Sequence, residues 1–151
     1  MEKQGLLGNK VVAQVGIIVR DIEATARAYA EFFGMEMPSI NWTDVPEKAC
    51  TEYRGKPTNA RAKLAFMNMG SLQLELIEPD EHPSTWREYL NEHGEGVHHI
   101  AFFVQGMKEK IELMSSQGMP LVQKGEYTGG RYAYMDTFPQ LKVMLELLEN
   151  D

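Results

Sequence analysis

The segment Gln14-Val-Gly-Ile-Ile-Val-Arg-Asp-Ile22 aligns with His99-Ile-Ala-Phe-Phe-Val-Gln-Gly-Met107 at an offset of 85 residues. Each reads as a polar residue, an apolar strand, a turn and the start of a helix. Ile22, Ala26, Tyr29 and Phe33 share one helical face, and Met107, Ile111 and Met114 repeat that face at the same offset. Both helices stop at a glycine followed by methionine, Gly34-Met35 and Gly118-Met119, as a left-handed C-cap requires. A second pair closes the halves: Leu72-Gln-Leu-Glu75-Leu-Ile-Glu78 matches Val143-Met-Leu-Glu146-Leu-Leu-Glu149 at an offset of 71. The shorter offset puts surplus residues in the middle of the first half, in the turn-rich stretch 38–62 with Pro38, Pro46, Gly55 and Pro57.

Agreement of faces, caps and strand pairs predicts an α+β fold built by duplication, with a strand, a helix and about three strands in each half. The first half reads as a strand near 11–19, a helix near 22–33, and strands including 63–69 and 71–78. The second reads as a strand near 97–104, a helix near 107–117, and strands near 119–123, 131–136 and 142–149. Between them Ser84 is placed to N-cap a helix that carries Trp86, Leu90 and His93 on one face and ends at Gly94. The expected organisation is a tail, 1–10, then one domain, 11–149, made of module 11–80, linker helix 81–95 and module 96–149. Neither module alone would bury enough surface to be stable.

Composition bounds the function. The chain has 151 residues, 43% hydrophobic and 25% charged, the profile of one globular domain. Its single cysteine, Cys50, permits neither an internal disulfide nor a thiolate metal cage, and predicts a cytoplasmic protein. The opening MEKQGLLGNK lacks the apolar run of a secretory leader. A net charge of -7 argues against nucleic acid and anionic membrane surfaces as partners, leaving a small molecule or another protein.

Strand alternation then singles out four polar residues. Leu72, Leu74 and Leu76 point one way and Gln73, Glu75 and Ile77 the other; Val143, Leu145 and Leu147 oppose Met144, Glu146 and Leu148 in the same manner. Glu75 and Glu146 are thus carboxylates amid apolar strands at equivalent places, and Gln14 and His99 are equivalent openings of the first strands. A buried lone carboxylate costs several kcal/mol unless it is paired or binds a metal. Gathered about a pseudo-twofold axis, Gln14, Glu75, His99 and Glu146 offer oxygen and nitrogen donors to one divalent ion such as Zn, Ni, Co, Mn or Fe. Two readings compete: the glutamates as solvent-facing edge charges, and His99 as a satisfied core histidine.

The paired patterns Gln14-Val-Gly-Ile-Ile-Val-Arg-Asp and His98-His99-Ile-Ala-Phe-Phe-Val, with Leu-Glu75-Leu-Ile-Glu-Pro79 and Leu-Glu146-Leu-Leu-Glu, resemble the vicinal oxygen chelate superfamily. Its members include glyoxalase I, methylmalonyl-CoA epimerase, extradiol dioxygenases, and the fosfomycin and bleomycin resistance proteins. The resemblance spans about residues 11 to 149. It implies paired βαβββ modules whose curled sheets form a cleft, with metal ligands at Gln14, Glu75, His99 and Glu146, and a homodimer. Gly94-Glu-Gly-Val-His-His-Ile-Ala is most similar to the methylmalonyl-CoA epimerase branch. That branch implies a metal-dependent isomerase or lyase taking a proton from the carbon next to a carbonyl of a chelated substrate. Its members usually have histidine at the position of Gln14, and their Glu-Glu-Gln-Gly base motif finds only Glu52-Tyr-Arg-Gly55 here. Glu146, a ligand doubling as base, and Glu52 are the catalytic candidates.

Phe103, Tyr132, Tyr134 and Met144 are candidates for substrate contact by alternation, with core packing as the competing account. Arg54, Lys56, Arg61 and Lys63 are candidates for the phosphates of a CoA-type substrate. A lactoylglutathione lyase of the glyoxalase I type shares the ligand set. However, the arginine it places four residues after the first ligand is Ile18 here, which disfavours glutathione. An extradiol dioxygenase would need a second histidine. A metal-free drug-binding protein of the same fold is the non-catalytic alternative.

Overall fold

The computed structural model describes residues 5–151; residues 1–4 of the expected tail lie outside the described residues. Among the described residues ten strands form one sheet: β1 (Gln14–Ile18), β2 (Ile40–Trp42), β3 (Glu52–Tyr53), β4 (Lys56–Pro57), β5 (Ala62–Asn68), β6 (Gln73–Pro79), β7 (Gly96–Phe103), β8 (Leu121–Tyr127), β9 (Gly130–Met135) and β10 (Met144–Asn150). Three helices of two turns or more accompany them, α1 (Ile22–Phe33), α3 (Thr85–His93) and α4 (Met107–Ser116), together with the single turns α2 (Pro46–Ala49) and α5 (Phe138–Leu141). The sheet is strongly curled and runs β2-β5-β6-β1-β7-β10-β9-β8-β3-β4. β1 and β7, the first strands of the two halves, pair antiparallel at its centre, and each is flanked by the last strand of its own half in parallel register. This is the expected pair of βαβββ modules about a pseudo-twofold axis.

The local signals act where they stand. Asp21 caps α1 by accepting from the Ala24 N–H at 3.0 Å, and α1 ends at Gly34 with φ 64°. Ser84 caps α3 by accepting from the Arg87 N–H at 3.0 Å. α4 has glycine at its N-cap, where no side chain can serve, and Glu149 accepts from the Met107 N–H at 3.0 Å instead. Glu78 does the same for the Ile22 N–H of α1 at 3.1 Å. The second glutamate of each repeated strand therefore serves the helix of its own half.

The buried face of α1 is Ile22, Ala26 and Ala30, while Phe33, expected on that face, is exposed. At 3.6 residues per turn the i+11 position still points along that face, so the difference lies in position along the helix: Phe33 is the last residue of α1, three past the last buried position, Ala30. Ile22 and Ala26 pack on Leu76, Ala65 and Met67, with Leu74 beside them. Met107 and Met114 pack on Leu145, Leu147 and Ala133, and Leu6 and Leu7 of the expected tail lie against this cluster. The concave side holds a third cluster, where Trp86 and Leu90 of α3 meet Ile18, Ile77, Tyr134 and Met144. The linker helix thus closes one end of the curled sheet.

The surplus of the first half is α2 and the β3–β4 hairpin. The hairpin turns through Arg54 and Gly55, both at positive φ as its two-residue loop requires. β3 leaves its own half and pairs with β8 of the other half.

Candidate metal centre and cleft

Two rows of residues crossing the central strands build the site. In one row Glu75 of β6, Gly16 of β1 and His99 of β7 are register partners; in the next, Gln14 of β1, Ala101 of β7 and Glu146 of β10. A small residue stands in the middle of each row, so the longer side chains on either side lean over it and meet. Gly16 and Ala101 are equivalent in the repeat, two residues after Gln14 and His99, and this small-residue spacing is the sequence signal of the convergence that the ligand types alone do not carry.

The convergence is tight. One ligand atom each of Glu75, His99 and Glu146 lies within 4.8 Å of the others, all three side chains buried. His99 Nε2 is 3.4 Å from Glu75 Oε1 and 3.2 Å from Glu146 Oε1. It is also 2.9 Å from the Gln14 amide, which donates in turn to Gln73 Oε1 at 2.7 Å. Turned over, the same amide donates to Glu146 at 3.0 Å and Glu75 at 3.3 Å, so it is within reach of all three neighbours. Donors around an ion with bonds of roughly 2.0–2.2 Å stand about 3.0–3.5 Å apart in octahedral or tetrahedral arrangements, and these separations match. One imidazole, two carboxylates and an amide oxygen form a donor set suited to a divalent transition ion, with the two carboxylates balancing its charge.

Electrostatics describe the same cluster without an ion. Burial raises the Glu75 pKa against the lowering pull of His99. For His99 burial acts downward, but the charges and hydrogen bonds of Glu146 and Glu75 outweigh it and raise the imidazole to about 10. A protonated His99 between two carboxylates is the metal-free form, its proton standing where an ion's charge would be.

Regular alternation along β7 would put His98 on the face opposite His99, but the strand is irregular there. The β1–β7 register shifts between Gly16 and Ile17, which pair with His99 and Val97, so His98 is the extra residue of a β-bulge. His98 is fully buried, its Nδ1 is 2.9 Å from His99 Nδ1, and its Nε2 is 3.1 Å from Thr85 Oγ1. Burial, with His99 adding to it, holds its pKa well below the usual histidine value, so it stays neutral. A neutral His98 accepting at Nδ1 and donating at Nε2 would hold the His99 proton on Nδ1, leaving Nε2 free for an ion.

The other candidates are divided. Phe103, Tyr132 and Tyr134 line a cleft of about 440 Å³ together with Gln14, Glu75 and Glu146. Met144 does not line it and is packed in the concave core with Ile18, Trp86 and Leu90. Glu52 is not brought to the cleft. It stands on the outer face of the insertion, 42% exposed and paired with Lys124 at 3.6 Å, while buried Thr51 beside it lines the cleft. Alternation within the inserted strand accounts for this, since adjacent residues take opposite faces. Tyr134 accepts from Trp86 Nε1 at 3.0 Å and Tyr132 accepts from Gln123 Nε2 at 3.0 Å, which leaves both phenol protons to donate. Burial raises both phenol pKa values, keeping them protonated.

Residues 13–134 match the family described as the Glyoxalase/Bleomycin resistance protein/Dioxygenase superfamily. The chain belongs to this superfamily. It is 32% identical to the uncharacterized protein YqjC of Bacillus subtilis (strain 168) over 92 residues, 59% of this chain and 66% of that protein. Its fold is similar to methylmalonyl-CoA epimerase from Mycobacterium tuberculosis, with TM-score 0.65 and 21% identity over 100% of this chain and 93% of that one. It is also similar to a variant of the Streptomyces coelicolor methylmalonyl-CoA epimerase in complex with 2-nitronate-propionyl-CoA, with TM-score 0.62 and 21% identity over 93% of this chain and 97% of that one. Likeness at this level of identity establishes the vicinal oxygen chelate fold and leaves the reaction to the site.

Proposed function

We propose that this superfamily member is a divalent-metal isomerase or lyase that removes a proton from the carbon next to a carbonyl of a small chelated substrate. The observation carrying this reading is the meeting of Glu75, His99 and Glu146 with the Gln14 amide, where Gln14, Glu75 and Glu146 line the cleft and His99 is buried against them. Gln14, Glu75, His99 and Glu146 would hold one ion. When bound, the ion supplies Lewis-acid stabilisation of the charge that builds on the carbonyl oxygen.

The chain's own groups do the rest. Glu146, buried at the cleft floor, takes the proton, and the electron pair it leaves on carbon passes toward the carbonyl oxygen. Glu146 gives the proton back for return on the same face; for return on the opposite face Glu75, from the other half of the molecule, donates a proton it already carries, and Glu146 then releases its own to solvent while Glu75 takes one up. Tyr132 and Tyr134 hold phenol protons ready to orient substrate oxygens.

An epimerase acting on a CoA ester draws support from the fold. Three of the four cations expected to meet its phosphates are engaged elsewhere: Arg54 pairs with Glu88 at 2.8 Å, Lys63 with Glu78 at 3.5 Å, and Arg61 donates twice to the Thr43 carbonyl, while Lys56 stands exposed on the hairpin. This favours the general chemistry over that particular substrate.

The test is ion content after purification without chelator, followed by solvent deuterium exchange into α-hydroxyketones and into methylmalonyl-CoA. About one ion per chain and exchange lost in Glu146→Gln are expected. A chain that takes up no divalent ion, or a loaded protein with no exchange above the metal-free control in either class, would sink the reading.

A further inference from the structure

We infer that the cleft selects a flat aromatic group free of negative charge, joined to the two-oxygen head that the site would chelate. The inference deepens the metal reading and rests on it. Its ground is the wall of the cleft above the floor. Three large aromatic side chains, Trp42, Phe66 and Phe103, are 48%, 46% and 46% exposed, and all three line this one cleft. Exposed apolar surface gathered in a concavity marks a place where an apolar group docks. Tyr127, Tyr132 and Tyr134 add further ring surface lower down.

Charge points the same way. The cleft wall includes Asp44 and Glu126 in addition to the two floor carboxylates, and among the described residues no lysine or arginine lines it. An ion at the floor would offset Glu75 and Glu146. Glu126 is shared with Arg131 at 3.8 Å, while Asp44 keeps the upper wall negative. Arg61 and Lys63 touch the Trp42 ring, each 5.4 Å from its centroid, but are held by Thr43 and Glu78. An anionic tail entering here would meet like charge, whereas a neutral ring would meet apolar walls with exposed faces and edges to stack on. A volume of about 440 Å³ accepts a bicyclic or substituted single ring.

The experiment uses three probes with one chelating head, acetohydroxamate, benzohydroxamate and 4-carboxybenzohydroxamate, titrated calorimetrically into the Zn-loaded full chain. Benzohydroxamate is expected to bind about tenfold tighter than acetohydroxamate, the size of an aromatic stacking contribution. The added carboxylate is expected to remove that gain. Phe66→Ala, at a half-exposed position, should lower benzohydroxamate affinity while leaving acetohydroxamate unchanged. Equal binding of the first two probes, or tighter binding of the carboxylated one, overturns the inference while leaving the metal site intact. If the chain takes up no ion, the metal reading fails on its own. The wall is then tested in the metal-free protein by quenching of Trp42 and Trp86 fluorescence, where benzyl alcohol should bind and benzoate should not. The reverse order, or no quenching by either, overturns it.

Discussion

Gly16 and His99 face each other across β1 and β7, and the imidazole occupies the space that a side chain on residue 16 would need. A Cβ there would lie 2.5 Å from His99 Nδ1 and 2.6 Å from Nε2. The glycine has an ordinary extended backbone, so it is required by this close approach and not by its own conformation. Gly16→Ala is expected to displace the His99 ring and weaken divalent-ion binding by at least about tenfold. Overpacking should cost about 1–3 kcal/mol of stability. Calorimetric ion titration and chemical denaturation check the two effects. Unchanged ion affinity in a folded variant would show that the ring is not held by this space.

His98 is tested by the same readout. His98→Phe keeps a ring in the bulge but removes the partners of His99 Nδ1 and Thr85 Oγ1. Loss of a group that orients a ligand through its second nitrogen typically costs about 10–100-fold in metal affinity, and that range is expected. Nitrogen-15 spectra of the imidazoles should show His99 protonated at Nδ1 in the loaded wild-type protein. A Phe variant that binds ion as tightly as the wild type would mean that His98 is only filler.

Ion uptake should depend on pH with a defined sign. In the metal-free protein His99 keeps its proton up to about pH 10, and an ion must displace it from Nε2. Apparent affinity therefore climbs as pH rises toward that value, with about one proton released per ion near pH 8. Titration in buffers of different ionisation enthalpy measures the release. The same raised pKa stabilises the metal-free fold fully below pH 6.5, the unreacted histidine value, and that contribution fades as pH rises through about 10.

Glu78 and Glu149 should matter to stability but not to the site. Each accepts from the first backbone N–H of its module's helix. Glu78→Ala should cost about 1 kcal/mol, as removal of a helix cap does. For Glu149 the Met107 N–H, with Arg131 adding to it, lowers the pKa below 4.5. Its contribution is present above pH 4.5 and lost as pH falls through the lowered value. The melting difference between wild type and Glu149→Gln is therefore expected at pH 7 and should shrink in acid. Ion affinity at pH 7 should be the same in all three proteins.

The repeat was legible because its signals are local. Helix period, capping residues and strand alternation follow from backbone geometry over a few residues, so α1, α3, β6 and β10 stand where their residues predict. The same alternation turned Gln14, Glu75 and Glu146 to one face. What depended on register between distant strands was not legible. The bulge that folds His98 under His99, the placing of Gly16 beside that ring, and the crossing of β3 to β8 each depend on how segments far apart in the chain line up. Alternation also could not tell that Thr51, and not Glu52, turns into the cleft, because the inserted strand takes its facing from β8. Sequence alone thus determined two modules and the residues they offer. Tertiary pairing decided which of those residues meet, since distance across a sheet is set by register and not by spacing along the chain.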